Sequence, residues 1–250
     1  MEILGTTIDN LTREEILAQI KIFLDEPKFH QIATVNPEFL LEAKKNKAFH
    51  TILQNCDLRI ADGFGITLTM LFRGERLKCR FPGADLMEEI LSIANEKKIS
   101  IYLAIKKDGL SSFDEVRQAL LERYPTLVVD GDTIDVNEIY DLRFKMLESK
   151  IKNLKSKIIL CNFGSPTQEI FLSRLRQQTR SVRLAMGVGG SFDYLTKKQK
   201  RAPRWLQSIG LEWLWRLIQQ PQRWYRIWNA VVLFPFYVFF ATIQKHDHNT

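Results

Sequence analysis

Short apolar segments alternate with longer amphipathic segments along most of the chain, and this alternation constrains the fold more than any other feature. The apolar segments span residues 31–35, 58–61, 100–105, 127–130, 157–162 and 184–188. They are apolar along most of their length rather than at every second position, which is typical of strands buried on both faces. The amphipathic segments predict helices over 12–24, 37–49, 84–97, 111–123, 136–154 and 166–176. The alternation therefore predicts an α/β fold, a mostly parallel sheet with helices on both faces.

The length and composition of the chain allow a sizeable core. A chain of 250 residues fits one large domain, or one domain with an appendage. Apolar residues make up 45% and charged residues 26%, which excludes general disorder. The three cysteines include no C-x-x-C pair, so neither a disulfide framework nor a zinc knuckle is indicated. The first residues lack the features of a signal peptide, and we expect a cytoplasmic protein with reduced thiols.

The positive charge is concentrated near the C-terminus. The net charge is +7, yet residues 1–194 contain 27 Lys/Arg and 27 Asp/Glu. Residues 195–250 contain 9 Lys/Arg, 2 Asp/Glu and all five tryptophans. This distribution argues against a uniformly basic nucleic-acid-binding protein, and no RNA- or DNA-binding motif is present. We therefore divide the chain into an α/β body, residues 1–194, and a basic, Trp-rich C-terminal appendage, residues 195–250.

The appendage has the composition of a segment that contacts a membrane surface. It predicts helices over 205–219 and from 222 onward, separated by Pro221. Residues 230–241 are apolar apart from Pro235, but a spanning helix needs about 20 apolar residues. Tryptophan and tyrosine favour the headgroup level of a bilayer, so the appendage can lie in the interface. Arg216, Arg223 and Arg226 either bind phosphate oxygens or form a solvated face.

Polar residues that follow the predicted strands are the candidates for a functional site, because ligands of such sheets bind at the carboxyl ends of the strands. Asp62 follows the strand 58–61 and precedes flexible glycines. A carboxylate in this position can act as a general base, or it can cap the following turn or helix. Asn36 precedes Pro37, which helix N-capping explains fully.

Two further segments lie at strand ends. Ser165 to Gln168 fits a capping box, in which Gln168 would bond back to the N-cap, and this helix N-terminus can also face a negatively charged ligand. The glycines of the segment 187–190 allow a backbone to approach a diphosphate closely. They are Gly187, Gly189 and Gly190.

The acidic and histidine motifs do not indicate a metal site. Asp130-Gly131-Asp132 matches the D-x-D pattern of metal-dependent glycosyltransferases, but two acidic residues around a glycine are also an ordinary turn, which we favour. The four histidines show no spacing typical of zinc ligands.

Seven motifs in a fixed order resemble one protein family. They span residues 33–38, 61–66, 80–86, 163–169, 187–193, 201–203 and 210–223. Together they resemble the WecG/TagA/CpsF glycosyltransferases, which build bacterial surface polysaccharides and teichoic-acid linkage units. The resemblance implies a Rossmann-like core with a C-terminal appendage, and an inverting transfer that needs no metal or other cofactor. It implies a UDP-sugar donor, most often UDP-N-acetylmannosamine, and an N-acetylglucosamine acceptor on polyprenyl diphosphate.

The resemblance also assigns roles to residues of this sequence. It implies that Asp62 is the general base and that Thr34, Asn36, Arg80 and Gln168 shape the active site. It implies that Arg216, Arg223 and Arg226 bind the diphosphate of the acceptor. Because such an acceptor stays in the membrane, we expect peripheral association with the inner face of the cell membrane, and a homo-oligomer is possible. The alternatives are transfer of glucose, N-acetylmannosaminuronic acid or another sugar by the same fold, or a non-enzymatic module that binds membrane surfaces.

Overall fold

A six-stranded parallel sheet forms the centre of the protein. The computed structural model describes residues 1–140 and 156–247, with side chains except at Tyr140, Arg223 and positions 241 onward. The sheet contains β3 (His30–Val35), β4 (Leu58–Ala61), β5 (Ile101–Lys106), β6 (Val129–Ile134), β7 (Ile158–Cys161) and β8 (Leu184–Gly187), in the order β4-β3-β8-β7-β5-β6. Every pairing between neighbouring strands is parallel. A small antiparallel pair, β1 (Glu2–Ile3) and β2 (Thr6–Thr7), precedes it. The predicted α/β fold is confirmed.

Helices cover both faces of this sheet. The helices of the body are α1 (Arg13–Asp25), α2 (Pro37–Lys45), α3 (Lys47–Gln54), α4 (Phe64–Phe72), α5 (Gly83–Glu96), α6 (Phe113–Arg123), α7 (Thr167–Leu175) and α8 (Ser191–Leu195). Successive strand residues point to opposite faces. In β7, Leu160 belongs to the core that α1, α5 and α6 cover, and Ile159 to the core beneath α7. In β3, Ala33 packs in a third core, beneath α2, α3 and α4.

Local hydrogen bonds explain where several helices begin and end. Thr12 and Glu15 form a capping box at the start of α1. The predicted helix 37–49 is interrupted at Asn46, whose side chain accepts a hydrogen bond from the amide of Phe49 and begins α3. Helix α4 was not predicted, because residues 64–72 are mostly apolar and lack the periodicity of an amphipathic helix. Most of the predicted helix 136–154 lies outside the described residues, and Val136–Tyr140 forms a 3₁₀ turn.

The predicted turn at Asp130-Gly131-Asp132 is wrong. These residues lie inside β6, where Asp130 pairs with Tyr102 and Asp132 pairs with Ala104 of β5. The Tyr102 hydroxyl donates a hydrogen bond to Asp132 Oδ2 at 2.6 Å. Because β6 is an edge strand, its polar side chains remain partly exposed to solvent. Two acidic residues can therefore lie in this strand, although their composition suggests a turn.

The appendage is helical and packs against the body. It contains α9 (Arg204–Ser208), α10 (Glu212–Gln219), a 3₁₀ turn (Pro221–Arg223), α11 (Trp224–Trp228), a π-helical segment (Asn229–Leu233) and α12 (Phe234–Asp247). Phe234 and Val238 of α12 are buried in the same core as Phe39 and Ile66 of the body. Within the described residues, no helix is both long and apolar enough to cross a bilayer. The division of the chain at residue 194 stays a prediction.

Candidate active site

A cavity of about 600 Å³ lies at the carboxyl ends of the central strands. Loops after β3, β4, β7 and β8 line it from the body, and α10 and α11 line it from the appendage. Most of the predicted site residues are among the lining residues: Thr34, Asn36, Asp62, Gln168, Gly187, Gly189, Gly190, Arg216 and Arg226. The topology therefore brings together residues that are as much as 192 positions apart in the chain.

Asp62 follows β4 directly and lies partly buried in the cavity wall. Helix α4 begins after Gly63 without a side-chain cap, so Asp62 does not cap it. The Oδ2 atom of Asp62 instead accepts a hydrogen bond from the amide of Gly83, the first residue of α5, at 3.3 Å. Among the described residues this is the one hydrogen bond that the carboxylate accepts, and it is long, so lone pairs remain for a ligand.

Burial raises the pKa of Asp62 to about 6, and the nearby Glu212 carboxylate acts in the same direction. The charges of Arg216 and Arg80 and the hydrogen bond from Gly83 oppose this rise. A carboxyl group with this pKa is mostly ionised at pH 7, yet it is a stronger base than an ordinary aspartate. The electrostatics of the cavity therefore suit Asp62 to accept a proton near neutral pH.

Thr34 and Asn36 come from the end of β3. Thr34 is buried next to Gly83, so it lies beside the residue whose amide bonds to Asp62. The Oδ1 atom of Asn36 accepts hydrogen bonds from the amides of Glu38 and Phe39 at 2.9 and 3.2 Å, which confirms its predicted role as an N-cap. The capping bonds fix the position of Asn36 in the cavity wall.

The predicted capping box at Ser165 to Gln168 is wrong. Helix α7 begins at Thr167, its N-cap is Pro166, and no side chain caps it. The Oε1 atom of Gln168 instead accepts hydrogen bonds from the amides of Gly164 and Gly189 at 3.1 and 3.2 Å. Gln168 therefore bonds to Gly164, one residue before the predicted N-cap, and to Gly189, in the loop after the neighbouring strand β8, instead of to Ser165.

The glycine segment after β8 packs closely on Gln168. A Cβ atom at Gly187 would lie 2.4 Å from Gln168 Cδ, so a larger residue there would displace the Gln168 side chain. Gly189 has a φ of +51°, which favours glycine, and its amide is already bonded to Gln168. The sequence predicts that the backbone of this segment approaches a diphosphate closely. In the structure, the backbone at Gly187 and Gly189 approaches the side chain of Gln168 closely instead.

Two of the four predicted arginines lie in the cavity and are paired with carboxylates. Arg216 of α10 donates to Glu212 Oε1 at 2.6 Å, and Arg226 of α11 forms an ion pair with Glu38 of α2. The side chain of Arg223 lies outside the part of the chain that the structure describes.

Arg80 is not a lining residue of the cavity. It donates a hydrogen bond to the backbone carbonyl of Gln207 at 3.0 Å, and its charge still acts on Asp62. Arg80 therefore ties the body to α9, rather than reaching into the cavity itself.

Sequence reasoning missed the acidic partners of these arginines. Glu212 and Arg216 are four residues apart on one helix, which is a recognisable pattern for an ion pair. Glu38 is the last residue of a motif that the resemblance uses, but nothing in the sequence pairs it with Arg226, 188 positions away. Both carboxylates line the cavity.

Among residues 1–140 and 156–247, no group of three or more His, Cys, Asp or Glu side chains could hold a metal ion. Asp130 and Asp132 are not lining residues of the cavity. Independence from metals stays a prediction that a chelator can test.

Comparisons with known proteins identify relatives of this chain. Residues 1–248 match the model of the family described as "Glycosyl transferase WecG/TagA/CpsF family". A protein of Bacillus subtilis (strain 168) is 30% identical over 230 residues, covering 92% of this chain and 84% of the relative. A protein of Staphylococcus aureus (strain MW2) is 29% identical over 229 residues, covering 89% and 86% respectively. Both are named N-acetylglucosaminyldiphosphoundecaprenol N-acetyl-beta-D-mannosaminyltransferase. The ordered motifs, the α/β core and the match over nearly the whole length agree: the chain belongs to the WecG/TagA/CpsF family of glycosyltransferases.

Proposed function

We propose that this chain transfers N-acetylmannosamine, with inversion, from a UDP-sugar to N-acetylglucosamine on undecaprenyl diphosphate. The names of the relatives support this acceptor and this sugar. The observation that carries the proposal is a carboxylate with a raised pKa, Asp62, in a cavity that two arginines of the appendage also line. One base and several cations are the groups that this reaction needs when no metal takes part.

In the proposed reaction, Asp62 takes the proton from the acceptor hydroxyl. At the same time, the oxygen of that hydroxyl attacks the anomeric carbon of the donor sugar. The attack comes from the face opposite UDP, so the bond to the departing diphosphate breaks as the new glycosidic bond forms and the configuration inverts. Because negative charge develops on the departing UDP, cations and backbone amides in the cavity stabilise the transition state. Lys106 lines the cavity and can serve this purpose.

The arginines of the appendage are proposed to bind the diphosphate of the acceptor. Arg216 and Arg226 pair with Glu212 and Glu38, so each guanidinium is already oriented by a carboxylate. A diphosphate carries more charge than one carboxylate and accepts forked hydrogen bonds from arginine. The acceptor would then compete with these carboxylates for the two guanidinium groups.

Exposed aromatic side chains support docking of this region on a membrane surface. Trp224, Trp228 and Phe239 are each more than half exposed. Phe72, at the end of α4, is 79% exposed and belongs to the body. Large aromatic groups in water are costly, whereas the headgroup region of a bilayer accommodates them. Docking here would bring the cavity to a substrate whose lipid remains in the bilayer.

The test of the proposed activity is release of UDP by the full chain. UDP-N-acetylmannosamine, UDP-N-acetylmannosaminuronic acid and UDP-glucose are each offered with and without a short-chain polyprenyl-diphosphate-N-acetylglucosamine. We expect acceptor-dependent release with the first donor. Faster release with another donor would reassign the sugar, and no release with any donor would refute the proposed activity.

Membrane docking is tested separately by sedimentation with vesicles that contain anionic lipid. Substituting Trp224 and Trp228 with glutamine is expected to weaken sedimentation, while a short-chain acceptor in solution should still be used. A matched control replaces Trp205 of α9, which is also exposed, with glutamine. Removal of the whole appendage would be a poor test, because Phe234 is part of the core of the body.

A further inference from the structure

A chain of buried polar side chains lies beneath the loops that follow β7 and β8. Gln168 and Glu169, in the first turn of α7, are 4% and 2% exposed. The Oε1 atom of Gln168 bonds to the amides of Gly164 and Gly189, and its Nε2 atom donates to Glu169 Oε1 at 2.7 Å. The oxygen of one side-chain amide thus joins two loops that line the cavity, and the nitrogen of the same amide bonds to Glu169.

The hydrogen bond to Glu169 determines which way the amide of Gln168 faces. The oxygen and nitrogen of a side-chain amide occupy nearly equivalent positions, but only the oxygen accepts hydrogen bonds. If the amide turned over, its NH₂ group would face the two glycine amides and both bonds would be lost. The carboxyl group of Glu169 accepts a bond from the nitrogen, so it stabilises the orientation that joins the loops.

Glu169 is itself held in place from the sheet. Its backbone carbonyl accepts a hydrogen bond from Gln31 Nε2 of β3 at 3.2 Å, and Gln31 is also buried. Burial raises the pKa of Glu169 to about 8, so the group is mostly a neutral acid at pH 7. Hydrogen bonds from Gln168, from its own backbone amide and from Ser165 oppose this rise. Burial first, and the nearby Glu169 carboxylate second, raise the pKa values of the thiols of Cys56 and Cys161. The network beneath the loops is therefore uncharged at neutral pH.

We propose that Glu169 is a positioning residue for the donor: by holding the amide of Gln168, it fixes the loops at Gly164 and Gly189 against each other. This inference rests on the proposed function, since it takes the cavity beside these loops as the UDP-sugar site. Loops that are held before the ligand arrives lose less conformational entropy on binding. Loss of the carboxyl group should therefore weaken binding of the donor more than it slows the chemical step.

The experiment compares Glu169→Leu with Glu169→Gln in the full chain. Leucine removes the acceptor, whereas glutamine retains an acceptor oxygen and resembles the neutral acid. Leu172→Val, in the same helix and fully buried, is the control for a general loss of packing. Calorimetry measures UDP binding, steady-state kinetics separate KM for the donor from kcat, and hydrogen exchange reports protection of the amides of Gly164 and Gly189.

We expect Glu169→Leu to weaken UDP binding and raise KM about tenfold, as the loss of one or two hydrogen bonds would. The two glycine amides should lose protection in this variant, and Glu169→Gln should restore both binding and protection. Unchanged protection and binding in Glu169→Leu, or equal losses in Leu172→Val, would overturn the proposal. If the wild-type chain bound no UDP, the proposed function would fail, and the exchange comparison would still decide whether Glu169 holds the loops.

Discussion

Replacing Asp62 with asparagine should reduce activity and increase stability at the same time. Asparagine keeps an oxygen that can accept the hydrogen bond from the Gly83 amide, but it cannot accept a proton. General-base catalysis typically contributes a factor of about 10² to 10⁴, so kcat should fall by that amount. Binding of UDP should change little, because the substitution removes a base rather than a group that contacts the nucleotide.

The gain in stability follows from the raised pKa. An aspartate with an ordinary pKa of 3.8 that titrates at about 6 in the fold binds its proton more tightly when folded. One pKa unit corresponds to about 1.4 kcal/mol, so ionising Asp62 in the folded chain costs roughly 3 kcal/mol at pH 7. This cost is absent below about pH 4, grows as the pH rises toward 6, and is constant above that. Asparagine avoids it and should raise Tm by several degrees at pH 7.

The assay measures thermal unfolding and acceptor-dependent UDP release for both proteins between pH 4 and pH 8. The stability difference should vanish near pH 4 and be complete above pH 6. The kcat/KM of the wild type should rise as the pH passes through about 6 and then level off. Asp108→Asn is a matched control, because Asp108 is an exposed carboxylate of the same cavity whose positive φ asparagine also tolerates.

Two results would refute this reasoning. If Asp62→Asn kept the activity of the wild type, another group would be the base. If the variant were inactive but less stable at pH 7, then Asp62 would serve mainly to hold the fold, and its ionised carboxyl group would stabilise the folded chain rather than destabilise it.

Three further predictions concern the rest of the site. Gly187→Ala should destabilise the fold by about 1–3 kcal/mol in urea unfolding, since its Cβ would lie 2.4 Å from Gln168; unchanged stability would contradict that packing. Arg216→Gln should raise KM for the lipid-linked acceptor at least tenfold while KM for the donor stays similar, and equal changes in both would exclude a specific role in acceptor binding. Incubation with EDTA should leave the rate unchanged, because the proposed chemistry needs no metal, and strong inhibition would show that a metal takes part.

Much of the fold could be predicted because its signals are local. The strand β4 is a short apolar segment, and Asn36 and Thr12 cap helices through bonds to residues two or three positions away. Segments without a local signal were missed or misread. Helix α4 has no amphipathic period, and the edge strand β6 contains a sequence that also suits a turn.

The site could be predicted in outline but not in its contacts. Ligands bind at the carboxyl ends of parallel strands, and this rule predicts that Asp62, Gln168 and the loop at Gly187 share one site. All three line the same cavity. The contacts between them depend on groups that are far apart in the chain, such as Gln168 with the amide of Gly189 and Arg226 with Glu38. Local motifs cannot report such pairings, because tertiary packing decides which partner is near.

The linkage of the product tests the central claim most directly. The full chain is incubated with UDP-N-acetylmannosamine and a short-chain polyprenyl-diphosphate-N-acetylglucosamine, and the anomeric configuration of the new bond is read by NMR. A single base that activates the acceptor hydroxyl for direct attack predicts one equivalent of UDP and a disaccharide in which the configuration of the donor has inverted. A product that retains the donor configuration, or UDP release without a disaccharide, would contradict the role proposed for Asp62.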